Sequence, residues 1–175
     1  MPENMPVLVG QFFGLVSLLL CLLAFASQRD ERLMVLLILA NVAFALQFAF
    51  LGSWTAAALS LVVILRIGLA RRYPGNRWIM AIVLGVSALA AGLTWQGLAD
   101  MPALIAMVIG TVGMFLLRGI AMRVFLALAA VAWLISHLLA GSIGGVLAEA
   151  LVIVTSLITI VRLRRARKRY PQAFD

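Results

Sequence analysis

The amino-acid sequence predicts an all-α membrane protein with seven transmembrane helices, arranged as a 3+1+3 parallel repeat. Composition, the placement of positive charge and an internal repeat lead to this fold class. Of the 175 residues, 65% are hydrophobic and 11% are charged, and the mean hydropathy is +1.16. A soluble domain carries about 25% charged residues. The chain therefore has too little polar surface for a soluble globule, and we infer that lipid is its solvent.

Positive charge alternates along the chain. Thirteen of the fourteen Lys and Arg residues fall in four clusters, which are Arg29/Arg32, Arg71/Arg72/Arg77, Arg118/Arg123 and Arg162/Arg164/Arg165/Arg167/Lys168/Arg169. The connections near Gly52, residues 96–100 and Gly141 carry none. Because cytoplasmic loops keep an excess of Lys and Arg, this alternation predicts an odd number of crossings, with the N-terminus outside and the C-terminus cytoplasmic.

Apolar runs of roughly 20 residues mark the individual crossings. The first run covers about 6–26, and we expect it to be retained because an acidic segment without Lys or Arg precedes it. The second covers about 33–51. Gly52-Ser53 turns the chain into the third run, which ends near residue 70.

The later crossings follow from helix breakers. Pro74-Gly75 interrupts the chain between the third and fourth runs, and the fourth run covers about 78–95 with a Trp at each end. The fifth begins near Met101-Pro102, where Pro suits the first helical turn, and ends near 117. The sixth covers about 120–139, and Gly141-Ser142 turns into the seventh, which ends near 161.

An offset of 89 residues superimposes the second and third runs on the sixth and seventh. Eleven of the 41 positions from Arg29 to Leu69 are then identical, against roughly four or five expected in so biased a composition. Gly52-Ser53 falls on Gly141-Ser142. The predicted organisation is a first three-helix unit over 1–72, a linker helix over 73–99, a second three-helix unit over 100–161 and a basic cytoplasmic tail over 162–175.

Three segments carry a resemblance to a known family. They are Gln28-Arg29-Asp30-Glu31-Arg32, Gly119-Ile120-Ala121-Met122-Arg123, and Trp133-Leu134-Ile135-Ser136-His137-Leu138-Leu139-Ala140-Gly141-Ser142-Ile143-Gly144-Gly145 followed by Glu149. Together they resemble the YgjV-like bacterial inner membrane proteins over nearly the whole chain. The resemblance implies a multi-pass protein of the bacterial inner membrane, distantly similar to the SWEET and PQ-loop transporters.

Glu149 is the most distinctive polar residue inside a span. An ionisable group in hydrocarbon costs roughly 2.5–3.5 kcal/mol on insertion scales. Glu149 lies about seven residues into the last span and shares one helical stripe with Gly145, Ser156 and Thr159. Two interpretations stay open, a carboxylate that binds a ligand or proton, and a protonated side chain that holds a neighbouring helix.

Arg66 and Asn41 are further candidates for binding a substrate. Arg66 stands alone in its span, about 7.5 Å from the predicted inner boundary. It either snorkels to the interface or contacts an anion from a cavity. Asn41 lies near the middle of the second run, where an amide either joins two helices or lines a path.

The sixth run supplies three more candidates, His137, Ser136 and Trp133. The depth of His137 is within about 5 Å of that of Glu149, so the two either meet across adjacent helices or His137 faces the headgroups.

No nucleotide-binding loop, metal cluster or catalytic triad is evident in the sequence, so we expect no enzymatic activity, cofactor or metal. The net charge of +8 lies at the ends of the spans, which predicts contact with the bilayer and with anionic lipids at the cytoplasmic face rather than with nucleic acid. Two functions stay open. One is a small transporter with a small-molecule substrate, and the other is a membrane scaffold or regulatory subunit without transport.

Overall fold

A computed structural model describes residues 4–26 and 30–169 and contains no strand in these ranges. The helices are α1 (Met5–Ala26), α2 (Asp30–Phe50), α3 (Trp54–Arg72), α4 (Arg77–Thr94), α5 (Met101–Leu116), α6 (Gly119–Leu139) and α7 (Ile143–Arg169). A short 3₁₀ turn, Leu98–Asp100, precedes α5. Arg29 of the first charge cluster and the end of the predicted tail, residues 170–175, lie outside the described residues.

Six of the described helices are long and apolar enough to cross a membrane, and the apolar part described in α2 is Met34–Phe50. The whole of α2 has 21 residues, which gives it a length of about 31 Å. The predicted all-helical fold with seven helices is therefore confirmed in the described residues. The orientation of the helices and the internal repeat stay predictions.

The predicted ends agree with the structure within a few residues, except at the end of α7. The apolar run was expected to end near residue 161, whereas α7 continues to Arg169. The reason is that Lys and Arg are good helix formers and are favoured near the C-terminus of a helix by its dipole. The basic segment that the sequence separates as a tail thus begins as the last turns of α7.

Two turns between helices have the same geometry. Gly52 and Gly141 both adopt a left-handed conformation, with φ of 79° and 71°. The backbone N–H of Ser53 donates to Phe48 O at 2.8 Å, and that of Ser142 donates to His137 O at 2.9 Å. This is the hydrogen bond of a Schellman motif, in which glycine readily takes the left-handed position.

The helices pack in a closed order. Helix α1 packs against α2 and α7, while α5 packs against α6 and α3; α2 contacts α3, and α6 contacts α7. Six helices thereby form a ring, and α4 lies against α3 and α5. Large apolar side chains of α4 remain exposed, including Leu93 at 78% and Trp78 at 83%. Apolar exposure of this extent is suited to lipid.

Candidate functional site at the interface of α2 and α6

Matching stripes of residues run along α2 and α6. The α2 stripe is Leu37, Asn41, Phe44 and Phe48, and the α6 stripe is Leu126, Ala130, Trp133 and His137. Steps of four, three and four residues place each set on one helical face. Every member of one stripe lies 89 residues from its counterpart in the other.

The two stripes line a common cavity at one end and contact each other at the other end. Leu37 and Leu126 line the same cavity. Phe48 and His137 stack with ring centroids 4.4 Å apart and an interplanar angle of 18°. The distance from Leu37 to Phe48 along α2 is about 16 Å. The α2–α6 interface therefore has a cavity at one end and a packed closure at the other.

The closed end is an aromatic cluster of Phe44, Phe48, Trp133 and His137. All four side chains are buried. The His137 ring lies 5.0 Å from that of Phe44, and the Phe48 ring lies 6.0 Å from that of Trp133. Aromatic pairs at these separations are attractive, so the cluster seals this end of the interface with side chains from both helices.

His137 is paired with Gln47 inside this closed end. Gln47 Nε2 lies 3.1 Å from His137 Nδ1, at hydrogen-bond distance. Gln47 Oε1 is buried without a hydrogen-bond partner in the described structure. A Cβ added at Gly14 would lie 2.7 Å from this oxygen. Helix α1 thus closes over the amide because residue 14 has no side chain.

The other end is a cavity of about 540 Å³ between α2, α3, α5 and α6. Its lining is mostly apolar with three arginines, and consists of Met34, Leu37, Arg66, Ile67, Ala70, Arg71, Pro74, Met114, Arg118, Met122 and Leu126. The cavity opens at the face where α3 ends and α6 begins. In the predicted orientation this is the cytoplasmic face.

Arg66 is the buried charge of the cavity. Its side chain is only 6% exposed. Nη1 lies 3.6 Å from Met107 Sδ, and Nε has no hydrogen-bond partner in the described structure. A Cβ added at Gly110 would collide with the guanidinium. The absence of a side chain at Gly110 therefore provides the space that the guanidinium occupies. Arg66 therefore lines a cavity rather than reaching past α3 to the interface.

The remaining candidates lie between the two ends or beside them. Asn41 is half-buried between the two ends of its stripe, and its Nδ2 donates to Leu37 O at 2.8 Å within α2. Glu149 is half-buried on α7. It does not line the cavity and forms no direct ion pair with Arg66 in the described structure. Ser136 is buried beside His137.

The structure brings His137, Ser136 and Trp133 together at the closed end and places Arg66 at the open end. The contact between His137 and Glu149 that the sequence left open is not formed in the described structure, where His137 pairs with Gln47. Sequence reasoning missed Phe44 and Phe48 as site residues. The one available signal was the 89-residue offset, which superimposes Phe48 on His137.

The apolar helices, their exposed apolar surfaces and the arginines gathered at one face define a multi-pass integral membrane protein. The model of the family Imp-YgjV, described as bacterial inner membrane protein, matches residues 8–167. The chain belongs to this family, and it is a multi-pass protein of the bacterial inner membrane. It is 23% identical over 161 residues to the inner membrane protein YgjV of Escherichia coli (strain K12), covering 92% of this chain and 87% of that protein. No solved structure matches the chain.

Proposed function

We propose that this protein is a transporter, similar in architecture to SWEET proteins, that carries a small solute by alternating access. The observation that carries the proposal is the pair of matched stripes on α2 and α6, with a cavity at one end and a buried aromatic cluster at the other. A path that is open at one end and sealed at the other is the arrangement expected of a carrier in one of its two states. The proposal assigns the protein no catalytic activity.

The proposed architecture consists of two parallel three-helix units, over 1–72 and 100–161, joined by the linker helix over 73–99. Two observations support it. The turns at Gly52 and Gly141 have the same left-handed glycine and the same backbone hydrogen bonds. The contact of α1 with α7 is also matched by a contact of α5 with α3, as a two-fold axis along the membrane normal requires. Parallel repeats of this kind occur in known transporters, whose sites lie between the repeats.

The transport step would be a rocking of one unit against the other about the α2–α6 interface. In the state described here, the cavity is accessible at the arginine-rich face, and the aromatic cluster closes the opposite face. Rocking would separate Phe48 from His137 and narrow the gap between Leu37 and Leu126. The positive charge at the cavity mouth supports a cytoplasmic location of the open side.

Cysteine labelling tests this function. In a background where Cys21, the only native cysteine, is replaced by Ala, single cysteines are introduced at Leu126 and at Trp133. A membrane-impermeant thiol reagent is applied to right-side-out and inside-out vesicles. We expect Leu126→Cys to react only from the cytoplasmic side and Trp133→Cys to react, more slowly, from the periplasmic side.

The result that would contradict transport is protection of Trp133→Cys from both sides over a period in which the detergent-denatured protein reacts fully. A static closed end of this kind would favour the alternative function, a membrane scaffold or regulatory subunit. Labelling of Leu126→Cys only from the periplasm would instead reverse the proposed orientation.

A further inference from the structure

We propose that the cavity between α2, α3, α5 and α6 binds a small organic anion, with one acidic group held by Arg66 and a compact apolar body held by the cavity walls. A monocarboxylate has this chemistry. The inference rests on the proposed function only in the claim that the anion is the transported solute, because binding itself requires no movement of the helices.

The first argument is the state of Arg66. A guanidinium within a membrane span is costly unless it has a partner of opposite charge or polar neighbours. Arg66 is almost fully buried, its Nε has no hydrogen-bond partner in the described structure, and its Nη1 contact is a methionine sulfur. A thioether is a weak acceptor. The side chain therefore retains most of its donor capacity, and it lines the cavity.

The second argument is the space reserved for this side chain. Gly110 of α5 faces the guanidinium, and any Cβ at that position would occupy the volume of Arg66 Nη1. Helix α5 thus accommodates a long basic side chain at a depth where an apolar residue would pack without cost. The planar guanidinium matches a carboxylate or phosphate through two parallel hydrogen bonds, which makes an acidic group the natural partner.

The third argument is the composition of the cavity wall. None of the described lining residues is acidic, and apart from the arginines the lining is formed by methionine, leucine, isoleucine, alanine and proline. A volume of about 540 Å³ lies within the range of small-molecule sites. A strongly hydrated inorganic anion would leave these walls unused, whereas an apolar body attached to the acidic group would fill them.

The mouth of the cavity favours the entry of an anion. Arg71 and Arg118 line it and are exposed. Arg118 Nη1 donates to Leu117 O at 2.9 Å, and Arg71 Nη1 lies 3.3 Å from Met34 Sδ. These contacts leave both charges uncompensated by a carboxylate in the described structure. A cleft lined by one sign of charge concentrates ligands of the opposite sign.

Glu149 does not occupy this site. It is not among the lining residues of the cavity and forms no ion pair with Arg66 in the described structure, so an entering acidic group does not have to displace a bound carboxylate. The same anionic chemistry could reach Arg66 from a phospholipid headgroup, and the experiment has to separate this source from a soluble anion.

Benzoate and benzamide provide a matched pair of probes, because they have nearly the same shape and only benzoate is charged. The wild-type protein in phosphatidylcholine nanodiscs is titrated with radiolabelled benzoate. We expect saturable binding that unlabelled benzoate displaces and benzamide does not. Arg66→Gln is expected to weaken binding at least tenfold, and Arg66→Lys less than Arg66→Gln. Arg123→Gln, an exposed arginine outside the cavity lining, is the control and should bind as the wild type does.

Equal benzoate affinity in Arg66→Gln, equal displacement by benzamide, or the absence of saturable binding to the wild type would overturn the proposal. If Arg66→Gln does not fold, the benzoate affinities of Arg66→Lys and Arg123→Gln are compared instead, and equal affinities would overturn the proposal. Nanodiscs containing phosphatidylglycerol test whether a phospholipid headgroup occupies the site. Loss of benzoate binding there, together with Arg66-dependent retention of phosphatidylglycerol through purification, would assign the site to a lipid headgroup and overturn a soluble ligand.

The result of the benzoate titration is independent of the result of the cysteine labelling. Benzoate binding with a permanently protected Trp133→Cys would retain the anion site and refute transport. Two-sided access without benzoate binding would retain transport and refute the anion site.

Discussion

The closest approach between α1 and α7 gives a quantitative test of the closed end. A Cβ added at Gly144 would overlap the backbone of Gly14 and Leu15. Backbone atoms cannot rotate away as a side chain can, so Gly144→Ala has to push the two helices apart. Gly68 in α3 is a matched control, because a Cβ added there meets nothing within 4 Å.

The two substitutions share one contribution to the unfolding free energy and differ in a second contribution. Replacing a helical glycine by alanine stabilises a helix by roughly 0.5–1 kcal/mol, and this gain applies to both. Overpacking a tight contact costs roughly 1–3 kcal/mol, and this cost applies to Gly144→Ala alone. The difference in unfolding free energy between the two variants is therefore about 1–3 kcal/mol. For a chain of this length, 1 kcal/mol corresponds to about 2–4 °C, so Gly144→Ala should melt about 2–12 °C below Gly68→Ala.

Thermal unfolding of both variants in the same detergent measures this difference. A second readout is the labelling of Trp133→Cys from the periplasmic side, which Gly144→Ala should accelerate because the α1–α7 contact covers the same end as the aromatic cluster. A melting temperature of Gly144→Ala equal to or above that of Gly68→Ala would refute the close contact. Unchanged labelling would show that this contact does not contribute to the seal.

Two shorter predictions concern the acidic residues Asp100 and Glu149. Asp100 Oδ2 accepts hydrogen bonds from Thr55 Oγ1 at 2.9 Å and from the backbone N–H of Gln96 at 2.7 Å, so Asp100→Ala should lower the unfolding free energy by about 1–3 kcal/mol. Asp100→Asn, which keeps an acceptor, should recover part of this loss, and equal melting temperatures for the two variants would contradict the assignment. Glu149→Gln should leave equilibrium binding of benzoate unchanged, because Glu149 does not line the cavity and forms no ion pair with Arg66 in the described structure; a several-fold change in affinity would show that Glu149 contributes to the anion site.

The helices were predictable because their limits are set locally. Gly52 and Gly141 end helices by adopting a left-handed conformation that glycine takes without steric cost, and Pro102 lies in the first turn of α5. The end of α7 was not predictable from hydropathy. Hydropathy reports where lipid ends, whereas Lys and Arg continue a helix into water.

The candidate site was only partly predictable, because residue type indicates polarity and not which face of a helix is packed. His137 and Arg66 were selected as polar residues in apolar spans, yet the first is packed in an aromatic cluster and the second lines a cavity. Phe44 and Phe48 gave no signal of their own, since phenylalanine in a membrane span is common. Gln47, which contacts His137, was not among the predicted site residues.

Under the proposed repeat, the two halves differ most where charge enters the spans. Arg66 corresponds to Thr155, and Glu149 corresponds to Ser60, so each half contributes one ionisable group on equivalent helices. Glu149 lies six residues before Thr155, which sets it about 9 Å deeper than Arg66 along the axis. This separation explains why Glu149 and Arg66 form no ion pair in the described structure. An anion bound to Arg66 would therefore find no carboxylate of α7 at its own depth.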